Sequence, residues 1–246
     1  MERYSAYDRF AWIYNQHWGG DFSQRALPLL DKLLLGQLPP AARLLDVCCG
    51  TGQLAQALAE RGYQVTGLDG SEEMLRLARV NAPTAEFLLG DAREFSLPPI
   101  YHGAISAYDS LNHILHLEQL TGAFRCVRAA LLDGGLFVFD LNLEEGYKSR
   151  WRGSFGIAED DHACVVRSRY QPDERLAWTD ITLFFLESGW VRSDLTLTQR
   201  CYSEAEVCAA LETAGFIRIQ IYDALKDLDF PGGVGRAFFV AHKGEK

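Results

Sequence analysis

Leu44-Leu45-Asp46-Val47-Cys48-Cys49-Gly50-Thr51-Gly52-Gln53-Leu54 runs from a buried apolar strand, through a turn with two glycines, into a helix. Glycine lets the backbone approach a ligand closely, and a helix start offers free N–H groups. Asp46 lies near the end of the strand. A second acid, Asp69, closes the next strand-like run, Gln64-Val65-Thr66-Gly67-Leu68-Asp69. Parallel strands ending this way open a crevice for a nucleoside-bearing ligand at their carboxyl ends. Asp69 suits a ribose diol, because one carboxylate accepts two hydrogen bonds. Asp46 suits another task, taking the N–H groups of the glycine loop. Gly50-x-Gly52-x-x-Ala55 also loosely fits a dinucleotide fingerprint, so the glycines alone do not choose the ligand.

On either side of this segment strands and helices alternate. Strands are read at 43–48, 63–69, 85–89, 103–108 and 136–141, and helices at 52–61, 71–81 and 117–132. Ser71 opens the second helix, with Glu72 and Glu73 in its first turn. This rhythm implies an α/β fold with a parallel sheet and helices on both faces. Residues 1–40 form an aromatic helical cap, helical over 7–37 with a break near Gly19-Gly20 and closed by Pro39-Pro40. Residues 41–145 form the α/β core.

Over 155–200 the helical period disappears. Leu176–Leu186 and Val191–Gln199 alternate apolar and polar residues, with turn chemistry at Pro172-Asp173 and Ser188-Gly189. Residues 146–201 therefore read as an antiparallel β insertion of three or four strands, a lid over the ligand or a dimer surface. Residues 202–246 return to the core: Ser203 and Glu206 make a capping box for a helix to Thr213, and strands follow at 216–222 and 237–241.

Composition removes several classes. The formal charge is −9 and no Lys/Arg cluster occurs, which argues against a nucleic-acid partner. No apolar run reaches a membrane span. Met1-Glu2-Arg3-Tyr4 lacks an apolar signal segment, so a cytoplasmic protein is expected. The six cysteines include no CxxC pair, and no metal site is expected.

The order of motifs resembles class I S-adenosylmethionine (SAM)-dependent methyltransferases of the small-molecule type. Leu45–Gly52 resembles their first motif and Gly67-Leu68-Asp69-Gly70-Ser71-Glu72-Glu73-Met74-Leu75 the second. Gly90-Asp91-Ala92 resembles the adenine-contacting turn, Leu132-Asp133-Gly134-Gly135 the turn before the fifth strand, and Ala214-Gly215-Phe216 also fits. The resemblance implies a doubly wound, mostly parallel, Rossmann-like sheet of seven strands, interrupted by the β insertion before the last helix and strands. SAM is the implied cofactor and S-adenosylhomocysteine its product. Asp69 and Gly70 would meet the ribose, Asp91 and Ala92 the adenine edge, and Met74 the adenine face. Asp46, Cys48, Gly50 and Gly52 would border the methionine part. Cys48 stands where glycine is common, and an ordinary φ is expected of it.

Tyr108-Asp109-Ser110-Leu111-Asn112-His113 resembles the matching loop of glycine and sarcosine N-methyltransferases, and similar layouts occur in aminosugar N,N-dimethyltransferases. Asp140-Leu141-Asn142 lacks the arginine that holds the substrate carboxylate in the glycine enzymes, so glycine is a poor acceptor candidate. Tyr108 would face the methionine carboxylate or the sulfonium, and Arg25 would clamp that carboxylate. Tyr7, Tyr14 and Trp18 form an aromatic stripe, read as core or as a cap over SAM. His113, Asp109 and Tyr14 are the catalytic candidates: His113 as a base, because its ordinary pKa lies near neutrality, and Asp109 to position an amine or ammonium. The expected reaction is in-line methyl transfer to a small-molecule acceptor, amine nitrogen ahead of oxygen, with a homodimer possible. The alternatives are a catalytically silent SAM-binding module and an NAD-dependent oxidoreductase.

Overall fold

The computed structural model describes residues 7–244, so Met1–Tyr4 lie outside the described residues. The cap is α1 (Ala11–His17) and α2 (Gly19–Leu33), followed by a 3-10 turn over Leu35–Gln37. The break between the helices falls at Trp18, whose ψ of −41° at φ −125° leaves helical geometry one residue before the glycine pair.

The core follows as β1 (Arg43–Val47), α3 (Gln53–Glu60), β2 (Gln64–Asp69), α4 (Glu72–Asn81), β3 (Glu86–Leu89), β4 (Tyr101–Ser106), α5 (Leu117–Ala130) and β5 (Leu131–Asn142). After the insertion come α7 (Glu204–Thr213), β10 (Phe216–Asp223) and β11 (Arg236–Lys243). The seven-stranded sheet has the order β10-β11-β5-β4-β1-β2-β3. Strands β1 to β5 pair in parallel, and β11 runs antiparallel to both β5 and β10. The strand order reverses between β1 and β4, the point where such sheets hold ligands.

Strand β5 shows why the sheet sits in the middle. Phe137, Phe139 and Leu141 pack toward α5 and α7, while Leu136 and Val138 pack toward α2 and α3. A strand covered on both faces reads as a continuous apolar run. Phe139 stacks on Phe239 of β11 at 5.0 Å. Each such ring contributes about 1.5–3 kcal/mol through burial.

Several boundaries shift by a few residues from the sequence reading, and two differences have a plain cause. Helix α5 stops at Ala130, not at 132, because Leu131 pairs with Tyr101 of β4. A short helix, α6 (Glu144–Arg150), follows β5 unannounced; it buries only Gly146 and Tyr147, too few positions to show a period.

The insertion is a four-stranded antiparallel meander, β6 (Arg152–Ala158), β7 (His162–Gln171), β8 (Leu176–Leu186) and β9 (Trp190–Arg200). Its inner face carries Cys164, Val166, Ile181, Leu183 and Leu197, packed on Phe10 and Ile13 of the cap. Its outer face is a polar ladder: Arg169 pairs with Asp180 at 2.5 Å, Thr196 donates to Asp180 and Thr182 to Asp194. The sheet thus roofs the carboxyl ends of the core strands. No helix among the described residues is long and apolar enough to cross a membrane.

Candidate functional site

A cavity of about 510 Å³ lies between the strand ends, the cap and the roof. Every site residue expected from sequence lines it except Asp46 and Gly52. The stripe of Tyr7, Tyr14 and Trp18 is part of its wall.

One end of the cavity is built by the loop after β1. The N–H groups of Cys48 and Cys49 both donate to the Leu68 carbonyl, at 2.7 and 3.1 Å. Folding two donors onto one acceptor turns the chain sharply, and Cys48 takes φ +61°. The ordinary φ expected of it is therefore wrong; the residue sits in the left-handed region that favours glycine, at a cost of about 1–2 kcal/mol. Gly50 follows at φ +54° and donates its N–H to Asp69 Oδ2 at 2.9 Å. Asp69 Oδ1 accepts from Ser71 N at 2.9 Å. Burial raises the Asp69 pKa, and these N–H groups oppose the rise.

Gly52 serves packing instead of bordering the cavity. A Cβ there would come within 2.9 Å of Ala78 Cβ, so its bareness lets α3 close on α4. Asp46 also departs from expectation. It accepts none of the loop N–H groups, which go to Leu68, Asp69 and Cys49. Its Oδ2 is buried with no partner, and burial, followed by the nearby Asp69 charge, pushes its pKa up to about 8. It borders a hollow of about 40 Å³ together with Tyr14, Tyr108 and Ser110. That hollow has room for one water or a small cationic group.

Met74 is buried on α4 with its side chain on the cavity wall. Asp91 accepts from Arg93 N and Nε, each at 2.9 Å. Burial works against its ionisation, but Arg93 outweighs it and holds the carboxyl below its ordinary value. Arg25, the expected carboxylate clamp, pairs with Asp21 at 2.7 Å and donates to the Pro231 carbonyl at 3.1 Å. An unpartnered buried carboxylate, a side-chain-free Gly50 and the carboxylates Asp69 and Asp91 fit a cationic adenosine compound such as SAM.

The other end of the cavity is braced by ions. Tyr108 and Asp109 both have positive φ, +64° and +48°. Asp140, at the end of β5, holds this strained pair by accepting both their N–H groups, at 2.7 and 3.0 Å. Arg236, opening β11, ion-pairs with Asp140 and with Asp109, the latter at 2.5 Å. Burial would lower the Arg236 pKa, but the two carboxylates raise it above its ordinary value. Removing one member of such a buried set leaves an uncompensated charge, a loss of about 3–5 kcal/mol. The Tyr108 ring stacks on Phe22 at 4.3 Å, and burial pushes its phenol up to about 12. Burial, with the charges of Tyr108, Asp109, Asp69 and Asp46, raises Tyr14 well above its ordinary value. Both phenols keep their protons near neutrality.

His113 ends a 3-10 turn over Ser110–His113. Its Nδ1 lies 2.9 Å from the Thr198 carbonyl and its Nε2 lies 2.9 Å from the Tyr7 hydroxyl. A carbonyl only accepts, so Nδ1 carries the proton and Nε2 offers a lone pair. Burial holds the imidazole below its ordinary pKa, against the charge of Asp109. Above it, Ser168 and Thr179 pair across β7 and β8 and line the cavity amid Phe155, Val166, Ile181 and Leu197.

Sequence reasoning missed Asp140 and Arg236 as a brace and Gln199 as a wall residue. The acid at the end of a third strand was a readable signal for Asp140. Nothing in the local pattern marked Arg236.

Comparison with known proteins points to methyltransferases. A family model described as a methyltransferase domain matches residues 44–135. The chain is 27% identical over 243 residues to YqeM of Bacillus subtilis (strain 168), provisionally named a methyltransferase, covering 96% of this chain and 97% of that one. It is 31% identical over 182 residues to the dTDP-3-amino-3,6-dideoxy-alpha-D-glucopyranose N,N-dimethyltransferase of Streptomyces fradiae, covering 72% of this chain and 69% of that one. The SAM-bound structure of an amino pentose methyltransferase from Micromonospora echinaspora superposes with a TM-score of 0.73 at 25% identity, over 94% of this chain and 96% of that one.

Proposed function

The chain belongs to the SAM-dependent methyltransferases, and from that premise we propose that it methylates the amine nitrogen of a small molecule. When bound, SAM supplies an activated methyl group on a sulfonium. Asp69 would hold the ribose, Asp91 and Ala92 the adenine edge, and Asp46 and the Gly50 loop the methionine part. Tyr14, Trp18 and Tyr108 would exclude water from the reacting centre. Alignment and dryness of this kind contribute up to about 7–11 kcal/mol.

The observation that carries nitrogen over oxygen is His113. It is half-buried, and desolvation holds it below its ordinary pKa, in the neutral form. So weak a base suits an acceptor that already carries its lone pair, and does little to ionise an alcohol. It would take the proton released by the methylated amine, directly or through the Tyr7 hydroxyl. Asp109, fixed by Arg236, would orient the acceptor. The aminosugar substrate in the name of the Streptomyces fradiae relative supports the amine reading. Transfer of labelled methyl from SAM to matched panels of amines, including aminosugars, and of alcohols and phenols tests it. Label on amines alone is expected; label confined to oxygen acceptors would overturn the proposal.

A further inference from the structure

We propose that Gln199, contributed by the roof sheet, is a positioning residue for the reaction, holding the His113 ring neutral with its unprotonated Nε2 turned toward Tyr7 and the cavity. The inference rests on the reading of His113 as proton acceptor, and adds what sets that ring's protonation and orientation.

The hydrogen ledger leaves little freedom. Gln199 is buried. Its amide nitrogen lies 2.7 Å from Asp109 Oδ2, an oxygen that only accepts while ionised. Arg236 donates to the other oxygen of the same carboxylate. The Tyr147 hydroxyl, 3.3 Å from Gln199 Oε1, donates to it. Turning the amide over would set its oxygen against the carboxylate, so its orientation is determined. One amide proton goes to Asp109. The same nitrogen lies 3.1 Å from His113 Nε2, and its second proton faces that atom.

The other side of the ring agrees. His113 Nδ1 must donate to the Thr198 carbonyl at 2.9 Å, which leaves the single lone pair of Nε2 to be shared by the Gln199 amide and the Tyr7 hydroxyl. Consecutive residues of β9 thus grip both ring nitrogens. A donor aimed at the lone pair favours the neutral ring over the imidazolium. The titratable and charged groups around it are Tyr7 ahead of α1, Asp109 after β4 and, behind Gln199, Tyr147 of α6 and Arg236 of β11. During turnover the N–H bond of the methylated ammonium breaks and an Nε2–H bond forms. The resulting Nε2–H faces the amide N–H, a mismatch that speeds release of the proton to solvent.

The test is nitrogen NMR of the full chain carrying labelled histidine, with His113→Gln assigning the signal. The wild-type His113 is expected as the Nδ1–H tautomer. In Gln199→Met, an isostere lacking the donor, its midpoint should rise by about one pH unit. The acid limb of kcat against pH should move up with it. A merely structural role would lower Tm and leave that midpoint in place. A wild-type Nε2–H tautomer, observable without any variant of Gln199, or an unmoved titration in folded Gln199→Met, overturns the proposal. Unchanged turnover in His113→Gln would instead remove the base role, while the NMR result would stand separately.

Discussion

Asp46 is enclosed beside a second carboxylate with no hydrogen bond to its Oδ2. In the unfolded chain its carboxyl titrates near ~4. In the fold it keeps its proton until about pH 8. Folding therefore takes up a proton between those values, and this group makes stability fall as pH rises across that window. Asp46→Asn should raise Tm at pH 8, by about 2–4 °C for each kcal/mol recovered. It should also weaken SAM and S-adenosylhomocysteine binding by about 10- to 100-fold, the loss of a hydrogen bond to a buried polar group. Thermal melts and calorimetry at pH 6 and 8 check both signs; a variant that binds as tightly as wild type removes Asp46 from the cofactor site. Asp46 and Asp69 were legible because an acid ending an apolar strand is a local signal. The φ of Cys48 was not, since it follows from two N–H groups converging on the carbonyl of Leu68, which lies on another strand.

Helix α7 shows what an element contributes alone. Ser203 accepts from Glu206 N while the Glu206 carboxylate accepts from Ser203 N, a complete capping box. Glu206 also binds Arg175 in the β7–β8 turn, at 2.5 and 3.0 Å. Partial burial works against the ionised Glu206, but Arg175 and Ser203 outweigh it and hold the pKa down to about 2. The associated stability is present above the unfolded value near ~4.3 and is lost as pH falls toward 2. Exposure to solvent keeps it small. Ser203→Ala should cost about 1 kcal/mol, with methyl transfer unchanged. Equal Tm in variant and wild type would mean that the cap adds nothing. Elements with caps or long periods, such as α4, α5 and α7, were readable from sequence. Helix α6 was not, because two buried positions in seven residues make no pattern.

At the scale of the whole molecule, cap, core and roof all line the main cavity, and a ligand that binds only the folded chain must stabilise all of it. S-adenosylhomocysteine at 100 times its Kd should add about 2.7 kcal/mol, a Tm rise of about 5–10 °C. NAD should leave Tm where it is; a shift with NAD and none with S-adenosylhomocysteine would contradict the assignment of this site. The sequence by itself determined the strand and helix alternation, the glycine turn, the acid pair Asp46 and Asp69, and the polar–apolar alternation of the inserted sheet. Periodicity and turn chemistry are local, so a single chain displays them. Only the tertiary structure decided that Arg236 braces Asp109 and Asp140, and that Gln199 and Thr198 grip His113. These partners lie on different strands and turns, many tens of residues apart. An ion pair closed through space leaves no period, cap or turn in either segment.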